Sequence, residues 1–222
     1  MAQIEYQVDG EACYRTTDIL SDAINESKGL LIWANRLGKQ DLDYFSELQT
    51  AQSIGSEFHD AAEAYVKDSE ILNDFQHVET SHCFSKFKKW WDADMTEYEI
   101  VNTELSLVSP TYRFGGTLDL LLKKDNEFIL VDYKTSSQIK LDNILQAGAY
   151  SHLLQISENI IVDKFLLARF GKKEDDKDFE IRAYDKSDLN KCFDHFLLML
   201  QTLNSKNKVK KLLKKKGSKV KW

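Results

Sequence analysis

Asp119, Asp132 and Lys134 are the residues of this chain whose types and spacing could do chemistry. Asp119 is embedded in Leu118, Leu120, Leu121 and Leu122. Asp132 follows Phe128-Ile129-Leu130-Val131 and precedes Tyr133-Lys134-Thr135. An ionised carboxylate inside an apolar strand is costly unless it is paired or bound to a metal. Two of them on neighbouring strands would also raise each other's pKa by like-charge repulsion. A divalent cation, with an ammonium group beside it, removes that penalty. The residues therefore point to a metal site.

The elements that must position them can be read from pattern. Phe114 to Leu122 and Phe128 to Thr135 read as the strands of a β-hairpin. Lys123-Lys124-Asp125-Asn126 is its turn, because Asp and Asn tolerate turn backbone angles. Side chains alternate along a strand, so Phe128, Leu130, Asp132 and Lys134 share one face. Tyr98 to Val108 is a further strand, with Ser109-Pro110-Thr111 as its turn, and carries Glu104 on a polar face with Asn102 and Ser106. A helix from Ser56 has Phe58, Ala61, Ala62 and Tyr65 at core spacing. His59 lies at the edge of that stripe with Glu63 one turn on, where a partly buried histidine bonded to a neighbour is the plain reading. After Lys134 a helix runs to about Ile156, with Leu141, Leu145, Ala149 and Leu153 as its buried stripe. Gln146 and Tyr150, four apart, share another face of it.

In order and spacing, Gly116-x-x-Asp119, Asp132-Tyr133-Lys134 and Gln146-x-x-x-Tyr150 resemble the PD-(D/E)XK nuclease superfamily. Within it the chain looks most like the RecB-like exonucleases, which include phage enzymes and the mitochondrial genome-maintenance exonuclease. The resemblance spans roughly residues 55 to 150 and takes in Gly55-x-x-x-His59 and Glu104. It implies metal-dependent DNA hydrolysis, with exonuclease favoured over endonuclease activity. Asp119 and Asp132 would hold one or two Mg²⁺ or Mn²⁺ ions. His59, the backbone carbonyl of Tyr133 and Glu104 would complete the site. Neutral imidazole is a sound ligand for Mn²⁺ and a less usual one for Mg²⁺. Lys134 would act on the attacking water or stabilise developing charge, and Gln146 would position the phosphate or water. Tyr150 would contact DNA. A nuclease-like DNA-binding or scaffold protein without catalysis is the alternative, and the intact Asp119, Asp132, Lys134 and His59 argue against it.

Charge bears on the partner. The chain has 222 residues and a formal net charge of −6, which by itself disfavours a nucleic-acid ligand. The distribution reverses that. Residues 206–222 hold nine lysines, Lys214, Lys215 and Lys216 among them, and no acid. Taking those nine from the 30 basic residues leaves 21 against 36 acids, or −15 over residues 1–205. A basic tail on an acidic body suits phosphate binding, and a merely solvated tail is the other reading. Lys86, Lys88 and Lys89 beside Trp90 and Trp91 likewise admit two readings: cations and rings that follow a DNA strand, or a helix with an aromatic core stripe.

The remaining bounds are broader. Length predicts one domain over residues 1–205, mainly helical over 1–95 and a catalytic α/β core over 96–205, with the basic tail after it. The fold class is α/β: a central mixed sheet of about five strands flanked by helices, like a restriction-endonuclease core, with a helical N-terminal region. Three antiparallel strands carry the acids, and the helix after Lys134 crosses to a parallel neighbour. Gly29 and Gly55 are read as helix breaks, Gly38 as a stop, residues 71–95 as a helix, and Asp185 to about Leu203 as the last helix. Cys13, Cys83 and Cys192 are odd in number and widely spaced, which indicates a reducing compartment and no zinc or iron–sulfur spacing. No apolar run is long enough to span a bilayer, and the N-terminus has no signal-peptide pattern. The expected location is bacterial cytoplasm, or host cytoplasm for a phage protein. DNA is the expected partner, with a homo-oligomer or a recombination protein as further expected partners.

Overall fold

Apolar alternation, turn residues and helix caps give fourteen elements in the computed structural model, which describes residues 6–23, 27–68, 74–175 and 177–214. A short arm comes first: β1 (Gln7–Val8), β2 (Glu11–Ala12) and β3 (Tyr14–Arg15). The helices α1 (Thr16–Ala23), α2 (Ser27–Lys39), α3 (Tyr44–Val66) and α4 (Val78–Asp94) follow. Then come β4 (Glu99–Ser109), β5 (Phe114–Lys124), β6 (Glu127–Lys134), α5 (Leu141–Glu158), β7 (Lys164–Phe170), β8 (Phe179–Asp185) and α6 (Lys186–Lys214). None of the described helices is long and apolar enough to cross a membrane.

The expected hairpin lies at the centre of the sheet. β5 and β6 pair antiparallel from Lys124↔Glu127 to Leu120↔Val131. Only Asp125 and Asn126 remain at the tip, and Asp125 takes a left-handed φ of 55°, the backbone state Asp reaches more readily than most residues. β4 covers the other edge of β5 antiparallel. β6 pairs parallel with β7, and β7 pairs antiparallel with β8. This is the mixed sheet expected from sequence, with α5 as the crossover between β6 and β7. The two-residue β3 adds a sixth strand, parallel to β5 at Phe114 and Gly115.

Helices cover both faces. Phe58, Ala61, Ala62 and Val66 of α3 and Phe84, Phe87, Trp90 and Trp91 of α4 pack on Leu120, Leu122, Val131, Tyr133 and Phe170. The opposite face, with Leu121, Leu130, Phe165 and Leu167, packs under α1, α5 and α6. Burying one such side chain as fully as Phe58 or Phe87 is worth about 1.5–3 kcal/mol.

Several boundaries differ from those expected. Gly55 does not break the chain, since α3 runs through it, and the packing of Phe58, Ala61 and Ala62 outweighs glycine's poor helix propensity. Gly29 lies inside α2. The helix expected from residue 71 begins at Val78, and residues 69–73 lie outside those described. In α5, Leu145, Ala149 and Leu153 are buried but Leu141 is 54% exposed. Instead Ala147, Gly148, Tyr150 and Leu154 are also buried, because α5 is sandwiched between the sheet and α6. A Cβ on Gly148 would lie 2.6 Å from the Phe193 nitrogen. α6 passes Leu203 without a stop, and Lys206 binds both oxygens of Asp22 at 2.8 Å. The helix ends at Lys214, eight residues beyond this α1 contact. Lys215 and Lys216 lie outside the described residues, as does the side chain of Lys214.

Candidate metal centre

The chemistry-bearing residues gather where the edge of β5 has no strand beside it. Along that edge β3 pairs with Phe114 and Gly115, and β6 pairs from Leu120 onward. Residues 116–119 lie between the two. The ladder to β6 ends just short of Asp119 and Asp132, and the Asp119 carboxylate replaces it, Oδ2 accepting the Tyr133 N–H at 2.7 Å. Leu118 packs on the α5 side of the sheet and Leu120 on the α3 side, so simple alternation fails at Asp119. Opposite it on β4, between the pairs Thr103↔Leu120 and Leu105↔Leu118, Glu104 has a φ of 46°. A left-handed non-glycine residue costs about 1–2 kcal/mol, and such strain collects at functional sites.

His59 reaches this point from α3. Its Nδ1 lies 3.5 Å from Asp119 Oδ1 and 3.9 Å from Glu104 Oε1. Ligand atoms of His59, Glu104 and Asp119 all fall within 4.8 Å of one another. An imidazole and two carboxylates from three elements form a donor set that suits a divalent cation. Burial opposes charging His59, but Asp119 and Glu104 outweigh it and raise its pKa.

Asp132 stands apart from that group of three. It is 2% exposed. Its Oδ1 has no hydrogen-bond partner among the described residues, and Oδ2 faces the Lys134 ammonium at 2.5 Å. Burial pushes the Asp132 carboxyl up to about 6, the Lys134 charge opposes this, and Asp119 adds to it. Burial would lower the pKa of Lys134, but Asp132 and Asp119 reverse that and raise it, so the group stays an ammonium. A buried carboxylate with an unused oxygen beside the acidic group is an unfilled ligand, and so the residues fit a cation. Tyr133 packs its ring against Phe58, His59 and Phe87, and its N–H fixes Asp119.

The α5 pair is set deeper than expected. Gln146 Nε2 donates to Tyr150 Oη at 2.6 Å, and Tyr150 is 4% exposed with its ring against Gly116. Burial, then the Asp132 charge, holds the Tyr150 phenol well above its usual pKa. Tyr150 therefore offers DNA no outward surface, and the space open to it is the small cavity it shares with Gly116 and Glu104. The same correction applies to Lys86, which is 4% exposed and donates to the His82 and Gly171 carbonyls at 3.1 Å and to that of Lys173. Trp90 and Trp91 are core residues, so the ring-and-cation reading of α4 fails at them. Lys88 and Lys89 are exposed, and the Lys88 ammonium sits 5.3 Å from the centre of the Tyr65 ring.

One part of the site had little sequence signal. The arm folds back so that Tyr6 covers Gly115 and its hydroxyl shares a 2.8 Å hydrogen bond with Thr117 Oγ1. Arg15 and Thr17 then line a cavity of about 180 Å³ that reaches Glu104 and Tyr150.

A mixed sheet between helical layers, with acids converging where a hairpin opens, is a restriction-endonuclease-like core. The family model of the PD-(D/E)XK nuclease superfamily matches residues 34–211, and the chain belongs to that superfamily. Its members are divalent-metal nucleases, so membership implies a nuclease with DNA as substrate. The arm and α1 precede the matched span. No curated protein matches the chain. Among solved structures, the crystal structure of SSO0001 matches over 87% of this chain and 79% of its own, at 14% identity and a TM-score of 0.38, too distant to add to the assignment.

Proposed function

We propose that this protein is a Mg²⁺- or Mn²⁺-dependent exodeoxyribonuclease of the RecB-like branch, acting in DNA replication, recombination or degradation. The supporting observation is the convergence of His59, Glu104 and Asp119 beside the Asp132–Lys134 pair. His59, Glu104 and Asp119 would hold the ion, with Asp132 and the Tyr133 backbone carbonyl, on the neighbouring strand β6, completing the set. When bound, the ion polarises a phosphate and lowers the pKa of a coordinated water. Lys134, kept charged by Asp132 and Asp119, steadies negative charge as it develops on the phosphate. Tyr150 holds the Gln146 amide at 2.6 Å and so fixes where that side chain can meet phosphate or water. The preference for strand ends rests on the motif order shared with RecB-like exonucleases.

The test is cleavage of 5′- and 3′-labelled linear DNA with Mg²⁺, Mn²⁺ or EDTA, beside Asp119→Asn and Lys134→Ala. The expected result is metal-dependent shortening that both variants lose, with slow or absent cutting of circular DNA. Equal cutting of circles would replace the exonuclease by an endonuclease. Absence of cleavage under every condition, with calorimetry showing no Mg²⁺ or Mn²⁺ uptake, would sink the enzyme reading.

A further inference from the structure

Beside the metal centre lies a cleft of about 710 Å³ that the catalytic residues do not use. Thr135 and Ser136, the residues that follow Lys134, are part of its lining, which puts it next to the site along β6. Trp33 of α2 lines one side, half-buried, with its ring edge to face against Tyr44. Arg36 lies one turn further along α2, and Lys172 and Lys173 approach from the β7–β8 loop.

That loop is built rather than loose. Lys86 binds the carbonyls of Gly171 and Lys173, and His82 Nδ1 lies 3.0 Å from the Lys172 carbonyl. Asp178 accepts from Arg169 at 2.9 Å, and Gly171 and Asp178 share a backbone bond of 2.7 Å. The buried ammonium of α4 thus holds two exposed or half-exposed lysines at the cleft. A loop anchored through its backbone brings two lysines to a cleft also lined by a tryptophan, an arginine and hydroxyls, while the one acid of its lining, Asp178, is paired with Arg169; this set matches a strand that offers phosphates and unpaired bases. A duplex keeps its bases stacked on each other and has none to give to Trp33.

We infer that this cleft binds a single-stranded DNA segment next to the scissile phosphate, with a base stacked on Trp33 and phosphates on Arg36, Lys172 and Lys173. The inference rests on the nuclease reading for the word scissile alone, because strand binding needs no cleavage. It makes single-stranded DNA the substrate form.

The experiment is fluorescence anisotropy in EDTA with a short fluorescein-labelled oligo-dT and a blunt duplex of the same length. Intrinsic tryptophan emission is followed alongside. Trp90 and Trp91 are buried, and Trp222→Phe, introduced in every protein compared, removes the fourth tryptophan, so quenching by oligo-dT that vanishes on adding Trp33→Ala is the expected signature. Trp33→Ala should weaken oligo-dT binding about tenfold, and Trp33→Tyr should restore most of it. Lys172→Ala with Lys173→Ala should lower the salt slope by about 0.7 for each cation lost. Unchanged affinity and quenching in a folded Trp33→Ala, or duplex bound as tightly and quenched as strongly as oligo-dT, overturns the inference. A wild-type protein that binds oligo-dT through Trp33 yet never cleaves would instead overturn only the nuclease reading.

Discussion

Gly116→Ala is the sharpest test of how the site is put together. A Cβ at residue 116 would lie 2.3 Å from Tyr150 Cε1, 3.1 Å from its Cδ1 and 3.0 Å from Thr16 Oγ1. Carbon atoms in contact prefer about 3.5–4.0 Å, so the ring must retreat by more than about 1 Å. Tyr150 is 4% exposed and lies in the core beneath α6, which resists that movement. Overpacking of this kind costs about 1–3 kcal/mol. For a chain of this size that is a fall in Tm of about 2–12 °C. The same movement breaks the 2.6 Å bond from Gln146 to Tyr150 Oη, so cleavage should fall further than the loss of folded protein explains. Tm and the cleavage rate on labelled DNA, measured at a temperature where the variant is fully folded, give both numbers. Adding Tyr150→Ala, which removes the clash, should make the double variant's loss of stability smaller than the sum of the two single losses. A Gly116→Ala protein with wild-type Tm and rate would refute the claim that Tyr150 is locked between Gly116 and Gln146.

Three further outcomes are expected. Gly55→Ala should leave stability unchanged or raise it, by up to about 1 kcal/mol of helix propensity, because the new Cβ meets only Thr135 Oγ1 at 3.6 Å; a large loss in thermal denaturation would mean that Gly55 serves close packing after all. Lys86→Met leaves carbonyls of the β7–β8 loop unpaired and should cost about 1–3 kcal/mol in urea unfolding. The same variant should weaken oligo-dT binding without touching the cleft directly, and wild-type values in both assays would count against the loop's anchoring. Asp178→Asn should cost about 1.5–3 kcal/mol at pH 7. Asp178 is desolvated, but its bond to Arg169 outweighs this and lowers its pKa. Its stabilising effect is therefore present above the usual carboxylate pKa of about 4 and is lost as pH falls through the lower folded value. Unfolding curves of wild type and variant should converge only in strong acid, and a gap that persists there would show that the loss is one of packing.

Much was legible in the sequence because it depends on local pattern. The Asp125-Asn126 turn, the apolar runs on either side and the helix between two strands define the hairpin and the parallel crossover, since alternation and turn chemistry act over a few residues. The types and order of His59, Glu104, Asp119, Asp132 and Lys134 pointed to the superfamily whose model the chain matches. Misreadings arose where burial overrides propensity. Gly55 sits inside α3 because the residues around it are core, and Lys86 is buried because two carbonyls of the β7–β8 loop and that of His82 in α4 receive its ammonium.

Tertiary structure alone decided which of these residues meet. His59 and Asp119 are far apart in the chain and come within 3.5 Å only because α3 lies across the sheet. Asp132, adjacent in pattern to the acids, is turned to Lys134 instead. The left-handed turn at Glu104, the arm that closes over Gly115 and the cleft at Trp33 are long-range arrangements. Periodicity fixes which side of its own element a residue occupies. What that side faces is set by packing between elements, and the sequence around each residue does not record it.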